Sequence, residues 1–361
     1  MKRRTLLVAA LAFTGCTDAA APPRAMDPSQ LSVKAVAAGG PTSLPSFGGN
    51  AVAEAINDFG VIVGVASEPD RSRTEAGISY PAKWTRNAAG AWGVASLGTA
   101  GGRALALNEV GDAVGVGSGQ AIVWPATGGE VQLGVGVAEG INGERIIVGS
   151  SVWGGAVNSV AYVWIPSTGT PTTWTRQALP LLEAGGSADA IAINENSVIA
   201  GAATRGGVPR AVVWMPVAGG WSTPIPREGT DASTGSSAGF GLNDNGDVVG
   251  YARTCPPQTC NGRPYLWPAT GGSIDLGNLN SMVNSGRSSG IGNDGNVAGW
   301  VTVIRGNSGG PFIWHPGGTS LIDLGDGEAR GINNGNPQYG QEAVGFRRTT
   351  KGQIAVVWQV P

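Results

Sequence analysis

Seven times along its 361 residues the chain repeats one phrase, and this periodicity limits its fold more tightly than any other feature. "INDFGVIVG" at 56–64 and "LNDNGDVVG" at 242–250 are two copies. Aligned on the leading aliphatic residue, the copies begin at Ile56, Leu107, Ile141, Ile193, Leu242, Ile291 and Ile332. Asparagine follows in all but one: Asn57, Asn108, Asn142, Asn194, Asn243 and Asn333, with Gly292 as the exception. Eight residues after the aliphatic stands Gly64, Gly115, Gly149, Gly201, Gly250 or Gly299, and in the last copy five inserted residues delay it to Gly345. A second anchor, tryptophan, closes a short apolar run in every copy: Trp84, Trp124, Trp164, Trp214, Trp267, Trp314 and Trp358. One large ring per unit at a fixed position reads as a packing residue of a stacked core.

Each unit has the pattern of four short strands. The stretches around "DFG" and "DNG" are β-prone runs joined by a turn, in which Gly60, Gly111, Gly246 and Gly295 supply positive φ and the neighbouring Asn serves the turn backbone. The run into tryptophan is a third strand, and "GVASLG", "EVQLG", "SIDLG" or "LIDLG" a fourth. No helical period follows the first residues. In the first strand, the positions one and three before the aliphatic anchor are always Ala, Gly or Ser, from Ala55 and Ala53 to Gly331 and Ala329. Such bare positions suit seven first strands that crowd around one axis.

Units of 34 to 52 residues could stack into a rod or close into a ring. Copy seven reaches only its third strand at "IAVVWQVP", while "LSVKAVAAGG" at 31–40 looks like an unassigned fourth strand. The expected fold is therefore all-β: a seven-bladed β-propeller of four-stranded antiparallel blades over residues 31–361. Its N-terminal strand, expected at Ser32–Ala38, completes the last blade and removes open edges.

The repeats resemble the bacterial extracellular HAF-repeat family, whose units combine an "A-x-x-I-N-D-x-G-x-V-V-G" phrase with "A-F-x-W" and "D-L-G". "GFGLNDNGDVVGY" with "PYLWPATGGSIDLG" is the fullest match. The family's His-Ala-Phe triplet is replaced here by "AIVW", "AYVW" and "PFIW". The resemblance implies a propeller-like fold and export, and it carries no general biochemical role.

Residues 1–16 read as an export signal, because Lys2, Arg3 and Arg4 precede an apolar run too short to span a bilayer. "AFTGC" resembles a lipoprotein signal with Cys16 as the lipidated residue, and cleavage near Ala21 is the competing reading. Residues 17–30 form a tether, and Thr17 points toward the outer membrane or cell surface. In an oxidising compartment Cys255 and Cys260 are expected to form a local disulfide. Glycine, at 61 residues, signals many tight turns, and a net charge of −2 without a basic stripe argues against a nucleic-acid partner.

Groups for catalysis are sparse. His315 is the only histidine, so it has no partner for a metal cluster and a Ser-His-Asp arrangement would rest on it alone; in a loop before Pro316 it reads as a surface residue, and no cofactor is expected. The turns 243–247 and 293–296 hold oxygens but lack the spacing of calcium loops. Glu54, Glu139 and Arg330, each two residues before an anchor, should approach the central channel, with Glu54 meeting Arg330 where copies one and seven join. The long connections 65–80, 150–160 and 252–263 are candidate specificity loops. The expected function is a monomeric, non-catalytic binding or scaffold module for a protein or glycan, touching the membrane only through its lipid. The alternatives are a polysaccharide hydrolase or lyase using one propeller face, and a cell-envelope assembly factor.

Overall fold

The turn after each repeat asparagine folds as its residues require. In the computed structural model, which describes residues 40–69, 77–152, 158–167, 173–227, 235–253, 261–279, 283–303 and 309–361, Gly60 N–H donates to Asn57 O and Asn57 N–H to Val61 O, both at 3.0 Å. Gly60 adopts φ 74°, and Arg145 and Ser197 take the same left-handed conformation in copies three and four. The hairpins so formed build seven four-stranded antiparallel sheets arranged as a seven-bladed β-propeller. Blade 1 runs from its inner to its outer strand through Ala51–Ile56, Ile62–Ser67, Ser79–Arg86 and Trp92–Ser96. Among the described residues the one helical element is a 3-10 turn at Leu276–Leu279.

Blade 7 consists of Glu328–Ile332, Glu342–Thr349 and Gly352–Gln359, with Thr42–Ser43 as its outer strand. Thr42 pairs with Val357 and Ser43 with Val356, antiparallel. The N-terminal closure expected from the sequence is thus present, but the pairing strand stands later in the chain than Ser32–Ala38, which lies outside the described residues. Leu44 explains the choice: its N–H donates to Ala355 O at 2.8 Å while its side chain, 4% exposed, joins the core between blades 7 and 1. Cys16, Cys255 and Cys260 also lie outside the described residues.

All seven repeat tryptophans are buried, between 0% and 4% exposed. Four of them also tie one blade to the one before it. Trp84, Trp164, Trp214 and Trp358 donate their indole N–H to the carbonyls of Pro45, Leu133, Pro180 and Leu324, all on or just beyond the preceding outer strand. The ring therefore fills the wedge between blades and satisfies a backbone acceptor there.

The asparagines are likewise seams as well as turn residues. Asn57 Oδ1 accepts from Val61 N–H at 2.9 Å, while its Nδ2 donates to Asn108 O of the next blade at 3.1 Å. The ladder continues from Asn108 to Asn142, Asn194, Asn243 and Gly292, and Asn333 returns it to Asn57 O at 3.4 Å. Where Gly292 lacks the amide, Gln341 of blade 7 donates to Asn333 O at 2.9 Å in its place. A Cβ on residue 292 would stand 2.8 Å from that Gln341 nitrogen, so glycine there makes room for the substitute.

Candidate functional site

One local irregularity, repeated seven times, builds the site. Every inner strand carries a β-bulge between the positions three and one before the anchor, from Ala53/Ala55 in blade 1 to Ala329/Gly331 in blade 7. The residue skipped by the register is Glu54, Leu105, Glu139, Ile191, Phe240, Ser289 or Arg330, and all seven line the central channel. A bulge re-aims one side chain. Here it turns a variable residue, flanked by small ones, toward the axis.

The repeat's glycine is what permits the bulge. A Cβ on Gly64, Gly115, Gly149, Gly201, Gly250, Gly299 or Gly345 would overlap the carbonyl oxygen of Val52, Arg103, Val137, Asp189, Ala238, Arg287 or Glu328 on the bulged strand. The small residue one before the anchor serves the neighbouring blade instead: a Cβ on Gly331 would stand 3.1 Å from Ala55 Cα across the closing seam. The crowding around the axis is therefore between inner strands, and the channel itself keeps its side chains.

Four residues before each anchor a second tier completes a funnel, contributing Arg103, Asp189, Ala238 and Arg287 to its wall. The chamber has a volume of about 650 Å³ and continues past the first tier into a narrower space of about 230 Å³ near the anchors. Charge is segregated around its wall. On one side Glu54 pairs with Arg330 at 3.1 Å, as expected, and also with Arg103. Glu328 holds Arg330 at 3.0 Å and Arg348 at 2.7 Å. Arg287 stacks over Phe240, 4.7 Å from its ring centre, and Phe240 in turn stacks on Tyr251. Burial, then the proximity of Arg330, pulls the Arg103 and Arg287 guanidiniums below their ordinary pKa range.

The other side is acidic. Glu139 lies 3.2 Å from Ser150 Oγ, and Asp189 accepts from Ser159 Oγ at 2.5 Å. Burial, and secondarily the charge of Asp189, pushes the Glu139 carboxyl up to about 8, and burial raises Asp189 as well. Ser150 can give its single proton to Val152 O at 3.0 Å and accept one from a neutral Glu139, so the geometry accommodates the protonated form. The folded state thus binds this proton more tightly than the unfolded chain does. The stability it brings is full below about pH 4.5 and is lost as pH rises through about 8. Glu139→Gln should flatten the fall in unfolding free energy between pH 5 and 9 by an amount on the order of 2 kcal/mol. Denaturant titrations at the two pH values measure this, and an unchanged slope would show that Glu139 is charged at neutral pH.

At the opposite end the turn oxygens are engaged in blade-to-blade bonds. Asp244 accepts from Glu195 N–H at 3.0 Å, Asn293 from Asp244 N–H at 2.9 Å and Asn334 from Asn293 N–H at 2.7 Å. Asp247 likewise accepts from Ala269 N–H at 2.9 Å and Asp294 from Gln341 Nε2 at 3.2 Å, so the carboxylates of the 243–247 and 293–296 turns are engaged. His315 sits beside them, its Nδ1 2.6 Å from Asn296 Oδ1. Among the described residues no group of three or more His, Cys, Asp or Glu is placed to hold a metal ion.

Sequence reading placed Glu54, Glu139 and Arg330 in the channel but missed Arg103, Asp189 and Arg287. Their signal was a charge four residues before the anchor in "RALAL", "DAIAI" and "RSSGI", on strands otherwise made of small and apolar residues. Parts of the long connections 65–80, 150–160 and 252–263 lie outside the described residues.

No protein-family model matches the chain, and no curated protein does. Among solved structures, the chain is similar to the Pyrococcus horikoshii acylaminoacyl peptidase with a TM-score of 0.52 at 10% identity, covering 86% of this chain and 51% of that one. It thus spans about half the length of the peptidase, and the likeness is one of fold. A Hadza microbial sialidase, Hz136, aligns with a TM-score of 0.39 at 9% identity over 87% of this chain and 80% of that one, too weakly to carry an argument.

Proposed function

We propose that this protein is an exported, HAF-type propeller, anchored by lipid at Cys16, that works as a binding module with the wide mouth of its channel as the binding site. One observation carries the reading. Each bulge delivers a variable residue of its repeat to a single chamber, whereas the repeat's Asn, Gly and Trp anchors hold the ring together. A concave chamber with an aromatic wall and a few convergent polar groups is the ordinary form of a small-ligand site. A glycan end or a short protein segment fits this shape, and the charges around the wall supply orientation.

The paired acids Glu139 and Asp189 favour a second reading, a polysaccharide hydrolase or lyase, because a carboxyl held protonated at neutral pH can act as a general acid. One experiment addresses both. The full-length protein is screened against an array of bacterial and plant glycans beside a Phe240→Ala, Tyr251→Ala variant, and each bound glycan is then checked for cleavage. Binding should fall at least tenfold in the variant, with the glycan recovered intact. Equal binding by both proteins would move the site off the channel, and cleavage abolished by Glu139→Gln would make the protein an enzyme. In the same preparations Cys16→Ser should shift the protein from the membrane to the soluble fraction, and retention in the membrane would refute the lipid anchor.

A further inference from the structure

Three polar groups in the funnel wall are buried and have no hydrogen-bond partner among the described residues: Arg287 Nε, Arg330 Nε and Ser289 Oγ. All three residues line the same chamber. Buried donors are nearly always satisfied, and three unsatisfied ones on residues that line one chamber point to an acceptor supplied from that chamber. Arg287 is the clearest case. It stacks over the Phe240 ring, and among the described residues no carboxylate stands within ion-pair distance of it, Glu328 acting on it only through its charge, whereas the terminal nitrogens of Arg330 are held by Glu54 and Glu328.

An acceptor-only group with two oxygens matches such donors, and arginine receives carboxylates in this forked manner. Two further features set the chemistry of the rest of the ligand. The stacked Phe240 and Tyr251 rings, 5.9 Å between centres, offer a flat apolar surface suited to the C–H face of a sugar. Across the chamber, Glu139, Asp189 and Ser187 offer partners for hydroxyl groups. A volume of about 650 Å³ holds one or two sugar rings.

We propose that the channel mouth binds an acidic sugar, a hexuronic acid residue, with its carboxylate on Arg287, Arg330 and Ser289 and its ring against Phe240 and Tyr251; this rests on the reading of the mouth as the binding site. The test is calorimetric titration of the full-length protein with digalacturonate, neutral digalactose and galactose 6-phosphate, at low and raised salt. Digalacturonate should bind at least tenfold more tightly than either competitor, and salt should weaken it. Arg287→Gln should lower its affinity at least tenfold and Arg287→Lys less, with melting curves confirming that both variants fold; the salt series on the unaltered protein needs no variant.

If digalactose binds as tightly as the acid and Phe240→Ala with Tyr251→Ala abolishes both, the carboxylate inference falls and the site reading stands. If digalacturonate binds but ignores those aromatic changes, both fall. Preference for the phosphate ester, or no binding of digalacturonate, overturns the inference.

Discussion

Trp164→Ala is expected to destabilise the propeller by about 3–5 kcal/mol. The ring is 1% exposed and packs with Val114, Val123, Ala138, Ile141 and Ile147, side chains drawn from blades 2 and 3. Truncation would leave a cavity in that wedge that the surrounding sheets, fixed by their own hydrogen bonds, cannot collapse to fill. It would also strand Leu133 O, which accepts the indole N–H at 3.1 Å. Guanidinium denaturation of both proteins measures the loss, and an unchanged midpoint would remove the packing role from the repeat tryptophans.

The second large effect concerns the closing seam. Glu342 of blade 7 is fully buried and receives Arg86 of blade 1 through two bonds, of 3.0 and 2.5 Å. The guanidinium is held between the Trp92 and Tyr339 rings, 4.0 and 3.9 Å from their centres, and Gln359 also donates to Glu342 at 2.7 Å. Removing one member leaves the other charged and buried. Glu342→Ala should therefore cost about 3–5 kcal/mol, while Arg86→Met combined with Glu342→Leu should recover most of that loss. A double-mutant cycle in denaturant reads the coupling directly. Purely additive losses would mean that the two side chains act independently of one another.

What the repeat made legible, and what it hid, divides along physical lines. Periodic features such as the Asn, Gly and Trp anchors answer to forces acting alike in every blade, so the blade count, strand order and tryptophan burial could be read from spacing alone. The asparagine was read as a turn residue, and that is half its role. Its Nδ2 bond to the next blade depends on which blades are neighbours in space, which no single copy displays. The glycine eight residues after the anchor was counted, but its reason is a carbonyl on another strand.

The closing strand shows a different limit. Residues 32–38 have the apolar alternation of a strand, while Thr42–Ser43 is too short to signal itself. Register there is set by Leu44 in the seam and by the sheet edge that Gly352–Gln359 presents. In the channel, the residues two before the anchor were legible because a variable position among small ones stands out. Arg103, Asp189 and Arg287 stand four before the anchor, on the same alternate positions, and were passed over because a charge recurs there in only some copies.

The most direct measurement is a crystal structure of the full-length protein with a glycan selected from the array. Electron density for the sugar between Phe240, Arg287 and Glu139, inside the wide mouth, is the expected result. Density on the outer strands or edge loops, with the chamber filled by water alone, would contradict the assignment of the seven bulged residues to ligand recognition.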